Sequence, residues 1–304
     1  DGAVDVRRAR RGSLVAPVLL IVAVVVPRAV VATSAALFTD SQDASSNTVT
    51  AAACTTTTYT GWLSSTSNIP STSRDVYNRL SGSTLSTDSW MTSSTWTTSG
   101  VTLNQPGALY CDSNAALSVS GASGHADTAS ATQTTFGISS SASSSLLFWV
   151  RSTSTTAGIM AALGNTGGGS SNDRVVWMDA SGYVHFSARS GGTTTSWSIT
   201  GGAKVNDGAW HLVVVAMGGY TNGGATLYVD GAVGATQAPT GTTYAFRNFS
   251  STSVKWTIGD QNGVTTPTDA PTAALVGTYD EFTVIDTTNL TSIQLATIYA
   301  NADL

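Results

Sequence analysis

From about residue 105 onward the chain is a succession of short apolar runs separated by Gly, Asn, Asp and Ser, and this punctuation points to an antiparallel fold. The runs are AALSVS (115–120), LLFWVR (146–151), GIMAAL (158–163), RVVWMD (174–179), YVHFSA (183–188), WHLVVVAM (210–217), ATLYVD (225–230), VKWTIG (254–259) and YDEFTVI (279–285). They are rich in Val, Trp, Tyr, Phe and Thr, the residues that suit a pleated, half-buried surface. Asp179-Ala180-Ser181-Gly182 and Asp230-Gly231 have the make-up of hairpin turns, and Asn206-Asp207-Gly208 marks another. Many short strands with regular turn signals predict an all-β chain folded as an antiparallel two-sheet sandwich. One short helix is expected at the end. Thr291-Ser292-Ile293-Gln294 forms a capping box, followed by an apolar side made of Ile293, Leu295, Ile298 and Tyr299.

Composition narrows the setting. Ser and Thr supply 89 of the 304 residues, and only 10% are charged, against about 25% in ordinary domains. Such a hydroxyl-dressed surface is typical of exported proteins. With two lysines, Lys204 and Lys255, the chain lacks the clustered basic face of a nucleic-acid binder. The amino terminus has the order of a secretory signal over residues 1–36. Arg7, Arg8, Arg10 and Arg11 precede the apolar stretch 14–26, and small residues follow at 32–36. A membrane anchor over 14–37 is the competing reading, since that length can span a bilayer, but Pro27-Arg28 interrupts it. A secreted or surface-displayed protein is therefore expected, touching a membrane only through an uncleaved amino-terminal segment. Loss of residues 1–36 would remove five arginines and two aspartates, so 13 basic and 18 acidic residues would become 8 and 16, a net charge of −8. Residues 37–76 read as a Ser/Thr-rich stalk and 77–304 as the folded domain. In an oxidising compartment Cys54 and Cys111 suggest one disulfide, with two buried thiols as the alternative.

The ordered set GVTLNQPGAL (100–109), LLFWVR, DRVVWMDASGYVHFSA (173–188), DGAWHLVVVAM (207–217), TLYVDGAV (226–233), WTIGD (256–260), GTYDEFTVID (277–286) and LTSIQLATIYA (290–300) resembles the bacterial laminin-G-like domains of the concanavalin A-like lectin/glucanase superfamily. The resemblance is best from residue 100. It implies a jelly-roll sandwich with one short carboxyl-terminal helix. Relatives usually carry two histidines after the tryptophan; here Leu212 replaces the second, which argues against a catalytic role for His211. Many relatives hold a calcium ion between an aspartate of the last strand and an early strand or loop. By that resemblance Asp280, with Ser120, Gly121 and Asp127, is the expected calcium set, although relatives often have an aspartate where Ser120 stands. Separately, ALFTDSQDASSNTVTAA (36–52) is similar to the processing region of camelysin- or TasA-like surface proteins.

Catalysis finds little support. Retaining glycosidases of this superfamily use a pair of carboxylates on one strand, in a pattern that needs two glutamates, and Glu281 is the sole glutamate. His185 and His211 fall inside strand patterns and His125 in a Gly-rich loop, with no base–arginine constellation for a lyase and no zinc-ligand spacing. For sugar stacking, Trp177, Trp210 and Trp256 are expected in the core, whereas Trp197, Tyr220 and Tyr244, with Asn165 and Asn172, are the candidate ligand contacts. The expected function is a non-catalytic module that recognises an extracellular glycan or a surface protein. The alternatives are a self-associating subunit of an extracellular fibre or matrix and, third, a polysaccharide-active enzyme.

Overall fold

The described residues fall within one compact unit, Ala51–Leu304. The computed structural model describes residues 59–302 apart from 66, 83–84, 86–89, 91–95, 110–114, 131–135, 137–142, 166–171, 190–195, 220–222, 239–245, 247–252, 260–266, 287–289 and 301. The expected signal segment, Cys54, Cys111, Tyr220 and Tyr244 lie outside the described residues.

The strands are β1 Arg74–Asn78, β2 Thr97–Ser99, β3 Val101–Pro106, β4 Ala115–Val119, β5 His125–Asp127, β6 Ser144–Arg151, β7 Gly158–Asn165 and β8 Asn172–Met178. They continue as β9 Tyr183–Arg189, β10 Ser196–Lys204, β11 Trp210–Met217, β12 Ala225–Val229, β13 Ala232–Gln237, β14 Val254–Gly259 and β15 Gly277–Asp286, with helices α1 Tyr59–Ser64 and α2 Ser292–Ala300. The first sheet runs β13-β12-β11-β6-β15-β4-β3, with β1 also paired to β15, and the second runs β10-β9-β8-β7-β14-β5-β2. The strand pairs of both sheets are antiparallel, so the expected jelly-roll sandwich is the fold observed.

The period of two along each strand decides what lies inside. On β6, Leu146, Phe148 and Val150 face the second sheet and join Val213, Val215, Met160, Val176, Phe186, Trp256 and Ile258 in the main core. The alternate residues Leu147 and Trp149 face outward, yet they too are buried. Helices α1 and α2 form an apolar pad over this outer face: Tyr59, Trp62, Leu295 and Ile298 pack with Leu147, Trp149, Leu212 and Val214. Trp149 stands edge-on to Tyr59 at 6.0 Å and stacks on Tyr299 at 5.9 Å.

This pad corrects the expected stalk. Residues 59–76 include α1, a 3-10 turn at Ser71–Ser73 and the start of β1, and Tyr59, Trp62, Leu63, Ile69 and Val76 are buried against the sandwich. Burial of about 1.5–3 kcal/mol per large apolar side chain outweighs the polar character of the surrounding tract. The capping box forms as expected, Thr291 N–H donating to Gln294 Oε1 at 2.9 Å and Gln294 N–H to Thr291 Oγ1 at 3.3 Å. Ile293 does not belong to the apolar side; it is 78% exposed. The Asp230-Gly231 turn has φ values of 53° and 77°, the positive pair that a two-residue hairpin turn requires.

Candidate functional site

The helical pad stops at Trp149, and one step further along the same outer face the sheet is uncovered. Four strands bring a lateral row of side chains into register there. Trp210 of β11 is paired with Arg151 of β6, Arg151 with Thr278 of β15, and Thr278 with Ser118 of β4. Residues directly opposite each other across antiparallel strands share a face, so the four lie side by side on the outside of the sandwich. Three of the four, Ser118, Arg151 and Thr278, line a shallow cleft of about 330 Å³ together with Ser152, Gly208 and Val276 among others. That volume is at the small end of ligand sites.

The walls are held by backbone contacts. Ser152 donates its hydroxyl to the Val276 carbonyl at 2.7 Å, and Gly208 N–H donates to the Ser152 carbonyl at 3.0 Å. Val276, at 46% exposure, gives the rim an apolar lip. The guanidinium of Arg151 lies over the Trp210 ring, 4.9 Å from its centroid, a cation–π contact that fixes the plane of its donors. Among the described residues this guanidinium makes no ion pair and no side-chain hydrogen bond.

Behind the Gly208 turn, His211 is clasped by two carboxylates, bonding through Nδ1 to Asp230 Oδ2 at 2.8 Å and through Nε2 to Asp207 Oδ1 at 2.9 Å. Burial works against the imidazolium, but the bonds to Asp230 and Asp207 outweigh it and raise its pKa above the ordinary value. A raised folded pKa contributes stability that is complete below the unfolded value, about 6.5, and is lost as pH climbs through the folded one. The thermal midpoint of the wild type is therefore expected to fall relative to His211→Gln as pH increases from 6 to 9. A gap between the two that stays constant over that range would show that the clasp contributes no charge-dependent stability.

The second sheet carries a different cluster on its outer face. His185 stacks on Trp177 with centroids 4.1 Å apart, and its ring nitrogens bond Asp179 at 3.1 Å and Thr200 at 3.0 Å. The Trp177 indole donates to Ser187 at 2.8 Å, and Ser187 donates to Asp269 at 3.1 Å. Here the polar groups answer one another and the indole face is occupied by His185. At the Arg151 cleft, by contrast, the guanidinium makes no such bond among the described residues.

Several expected site residues are placed elsewhere. Trp197 points into the main core, 8% exposed and 5.6 Å from Phe246, because it keeps the inward parity of Ile199 on β10. Asn172 is 1% exposed at the start of β8. Asn165 ends β7, paired with Val254. Trp256 and Trp177 are buried as expected, Trp256 in the main core and Trp177 in a small cluster with Ile159, Ala162 and Val175, whereas Trp210, expected in the core, is half-buried against the second cluster. His125 belongs to β5 and not to a loop.

The expected calcium set is not brought together. Asp127 lies on the second sheet, ion-paired to Lys255, while Asp280 lies on the first. Their sheets are separated by the sandwich core, about 10 Å thick. The register of β4 with β15 also puts Asp280 four residues from the point opposite Ser120, roughly 13 Å along the strand. Asp280 spends its oxygens on the backbone N–H groups of Ala108 at 2.7 Å and Glu281 at 3.0 Å. Gly121 sits in a tight turn, its carbonyl accepting from Gly124 N–H at 3.0 Å. Among the described residues, no three His, Cys, Asp or Glu side chains converge as metal ligands.

Sequence reasoning missed Arg151 and Trp210 as neighbours. The available signal was a lone charge closing the otherwise apolar run LLFWVR, on the same parity as Trp149.

Two stacked antiparallel sheets in this strand order define the chain as a jelly-roll sandwich. Within that class it belongs to the concanavalin A-like lectin/glucanases superfamily, whose laminin G type sequence model matches residues 120–292. Among solved structures, the chain is similar to the binding domain of botulinum neurotoxin DC in complex with SialylT, at 12% identity and a TM-score of 0.55, covering 76% of this chain and 52% of that one. A botulinum neurotoxin type C structure, described with two ganglioside molecules, matches at 13% identity and a TM-score of 0.56 over 79% of this chain and 53% of that one. Domain 4 of AbnA, an extracellular GH43 arabinanase from Geobacillus stearothermophilus in complex with arabinotriose, matches at 15% identity and 0.51, over 75% and 98%. The chain thus spans about half of the neurotoxin chains it matches, and at these identities the likeness is one of fold. Comparison with curated protein sequences found no match. The camelysin- or TasA-like reading of residues 36–52 gains no support from these comparisons, and the segment lies outside the described residues.

Proposed function

We propose that the protein is a non-catalytic recognition module displayed outside the cell, and that it binds a glycan in the cleft on the outer face of the first sheet. The row Trp210–Arg151–Thr278–Ser118 carries this reading. It joins a cation laid on an indole and two hydroxyl side chains beside an apolar lip, the mixture of apolar surface and a few convergent polar groups that orients a small ligand. The ligands named for the neurotoxin and arabinanase structures, SialylT and arabinotriose, are in keeping with it. A binding role is preferred to hydrolysis because the sole glutamate, Glu281, is fully buried and bonded to Tyr77. A carboxylate in that position has no path to a substrate.

The test is a glycan array followed by titration of the best binder. Trp210→Ala is expected to weaken that binder at least ten-fold while the domain keeps its cooperative unfolding. Binding that persists unchanged in Trp210→Ala, or an array that responds to no glycan while a protein partner is captured, would count against the cleft as a sugar site.

A further inference from the structure

We infer that the ligand of this cleft is an anionic glycan, one whose carboxylate or sulfate is received by Arg151; this rests on the glycan reading above and specifies its chemistry. Among the described residues Arg151 is the one charged side chain lining the cleft. The chain holds 18 acidic residues against 13 basic ones, so a surface arginine here would ordinarily find a carboxylate partner. Lys255 does so with Asp127, and Arg79 with Glu281 at 3.4 Å. Arg151 does not.

The acids of the adjoining turns have other commitments. Asp207 and Asp230, beside the Gly208 wall, are both turned to His211. The guanidinium stays laid on Trp210, and among the described residues no side-chain hydrogen bond or ion pair of it is found. A planar fork held in this way matches the two oxygens of a carboxylate and gains far more from an anion than from a sugar hydroxyl. Thr278, paired directly with Arg151, and Ser118 beyond it supply hydroxyls within reach of the rest of an acidic sugar. Ser118 reaches the Gly277 carbonyl at 3.4 Å, which leaves its lone pairs available.

The experiment compares matched acidic and neutral ligands on the whole folded chain. Oligogalacturonate is titrated against its methyl ester, sialyllactose against lactose, and a sulfated oligosaccharide against its unsulfated parent, each in low and moderate salt. At least one acidic form is expected to bind ten-fold or more tighter than its neutral counterpart, and which pair shows the preference separates carboxylate from sulfate. Arg151→Gln is expected to collapse that preference toward one. Arg151→Lys, which keeps the charge and loses the fork, should fall between. Thermal midpoints of both variants near that of the wild type exclude misfolding as the cause.

Equal affinity for acidic and neutral forms, or a preference that survives Arg151→Gln, overturns the anionic assignment while leaving the glycan reading standing. Binding to none of these sugars, or to any array glycan, removes both.

Discussion

Replacing Glu281 by alanine is expected to lower the stability of the folded domain by about 3–5 kcal/mol, the usual result of removing one member of a buried ionic network. For a domain of this size that corresponds to a fall of roughly 6–20 °C in the thermal midpoint. The register of β15 against β6 shifts between Asp280 and Thr283. Tyr279 and Phe282 both point into the core, so the two residues between them, Asp280 and Glu281, are turned to the outer face together, as a bulge does. Glu281 adopts φ of 53°, a left-handed conformation costly for a side chain with a Cβ.

What offsets that strain is its network. Tyr77 donates its hydroxyl to Glu281 Oε2, and the Arg79 guanidinium lies 3.4 Å from Oε1. Burial, and then the Glu281 charge, push the Tyr59 and Tyr77 hydroxyls well above the ordinary phenol range, so both remain protonated. Glu281→Gln keeps an acceptor for Tyr77 and should cost less than alanine. Urea unfolding of the three proteins measures the difference; an alanine variant within 1 kcal/mol of wild type would mean that the network contributes little beyond filling space.

Gly158→Ala is expected to destabilise by about 2–3 kcal/mol through overpacking and to disturb the cleft at the same time. A Cβ at Gly158 would sit 2.5 Å from the Cα of Leu275 and 2.6 Å from its nitrogen, contacts with backbone that no rotamer change relieves. The closeness is built by Ile159 N–H donating to the Ala273 carbonyl at 2.7 Å and Leu275 N–H donating to the Ile159 carbonyl at 2.8 Å. Pushing this segment outward moves Val276 and Gly277, which line the cleft. Ligand affinity should therefore drop with stability. Gly202→Ala, where the nearest atom to the added Cβ is 3.5 Å away, is the control expected to change either quantity by little. A Gly158→Ala protein that melts with the wild type would show that the segment 273–277 is not pinned here.

How much of this was legible beforehand depended on where each strand's apolar residues fell. Runs such as LLFWVR and WHLVVVAM are buried on both faces because the pad covers the outer one, so they read as unbroken hydrophobic stretches. Strand β10 was missed although its inward positions are regular, since Trp197 and Ile199 are followed inward by Gly201, which carries no hydrophobic signal. Helix α1, YTGWLS, contains Gly61 and sits in a Ser/Thr tract; its helicity comes from packing on Trp149, a residue remote in sequence. The cleft was illegible for a related reason. Arg151, Trp210 and Thr278 meet only through the register of β6 with two distant strands, and a lone aromatic and a lone arginine look unremarkable apart. Asp280 was singled out through resemblance, yet its carboxylate is used locally by backbone N–H groups, the ordinary use of an aspartate near a bulge.

Chemical-shift mapping of the isotope-labelled domain, titrated with the oligosaccharide that binds best, locates the binding surface directly. The largest changes are expected at the Trp210 indole N–H, the Arg151 Nε–H and the backbone amides of Thr278 and Ser118. Changes centred instead on Trp177, His185 and Thr200 would move recognition to the opposite sheet and contradict the assignment of the cleft.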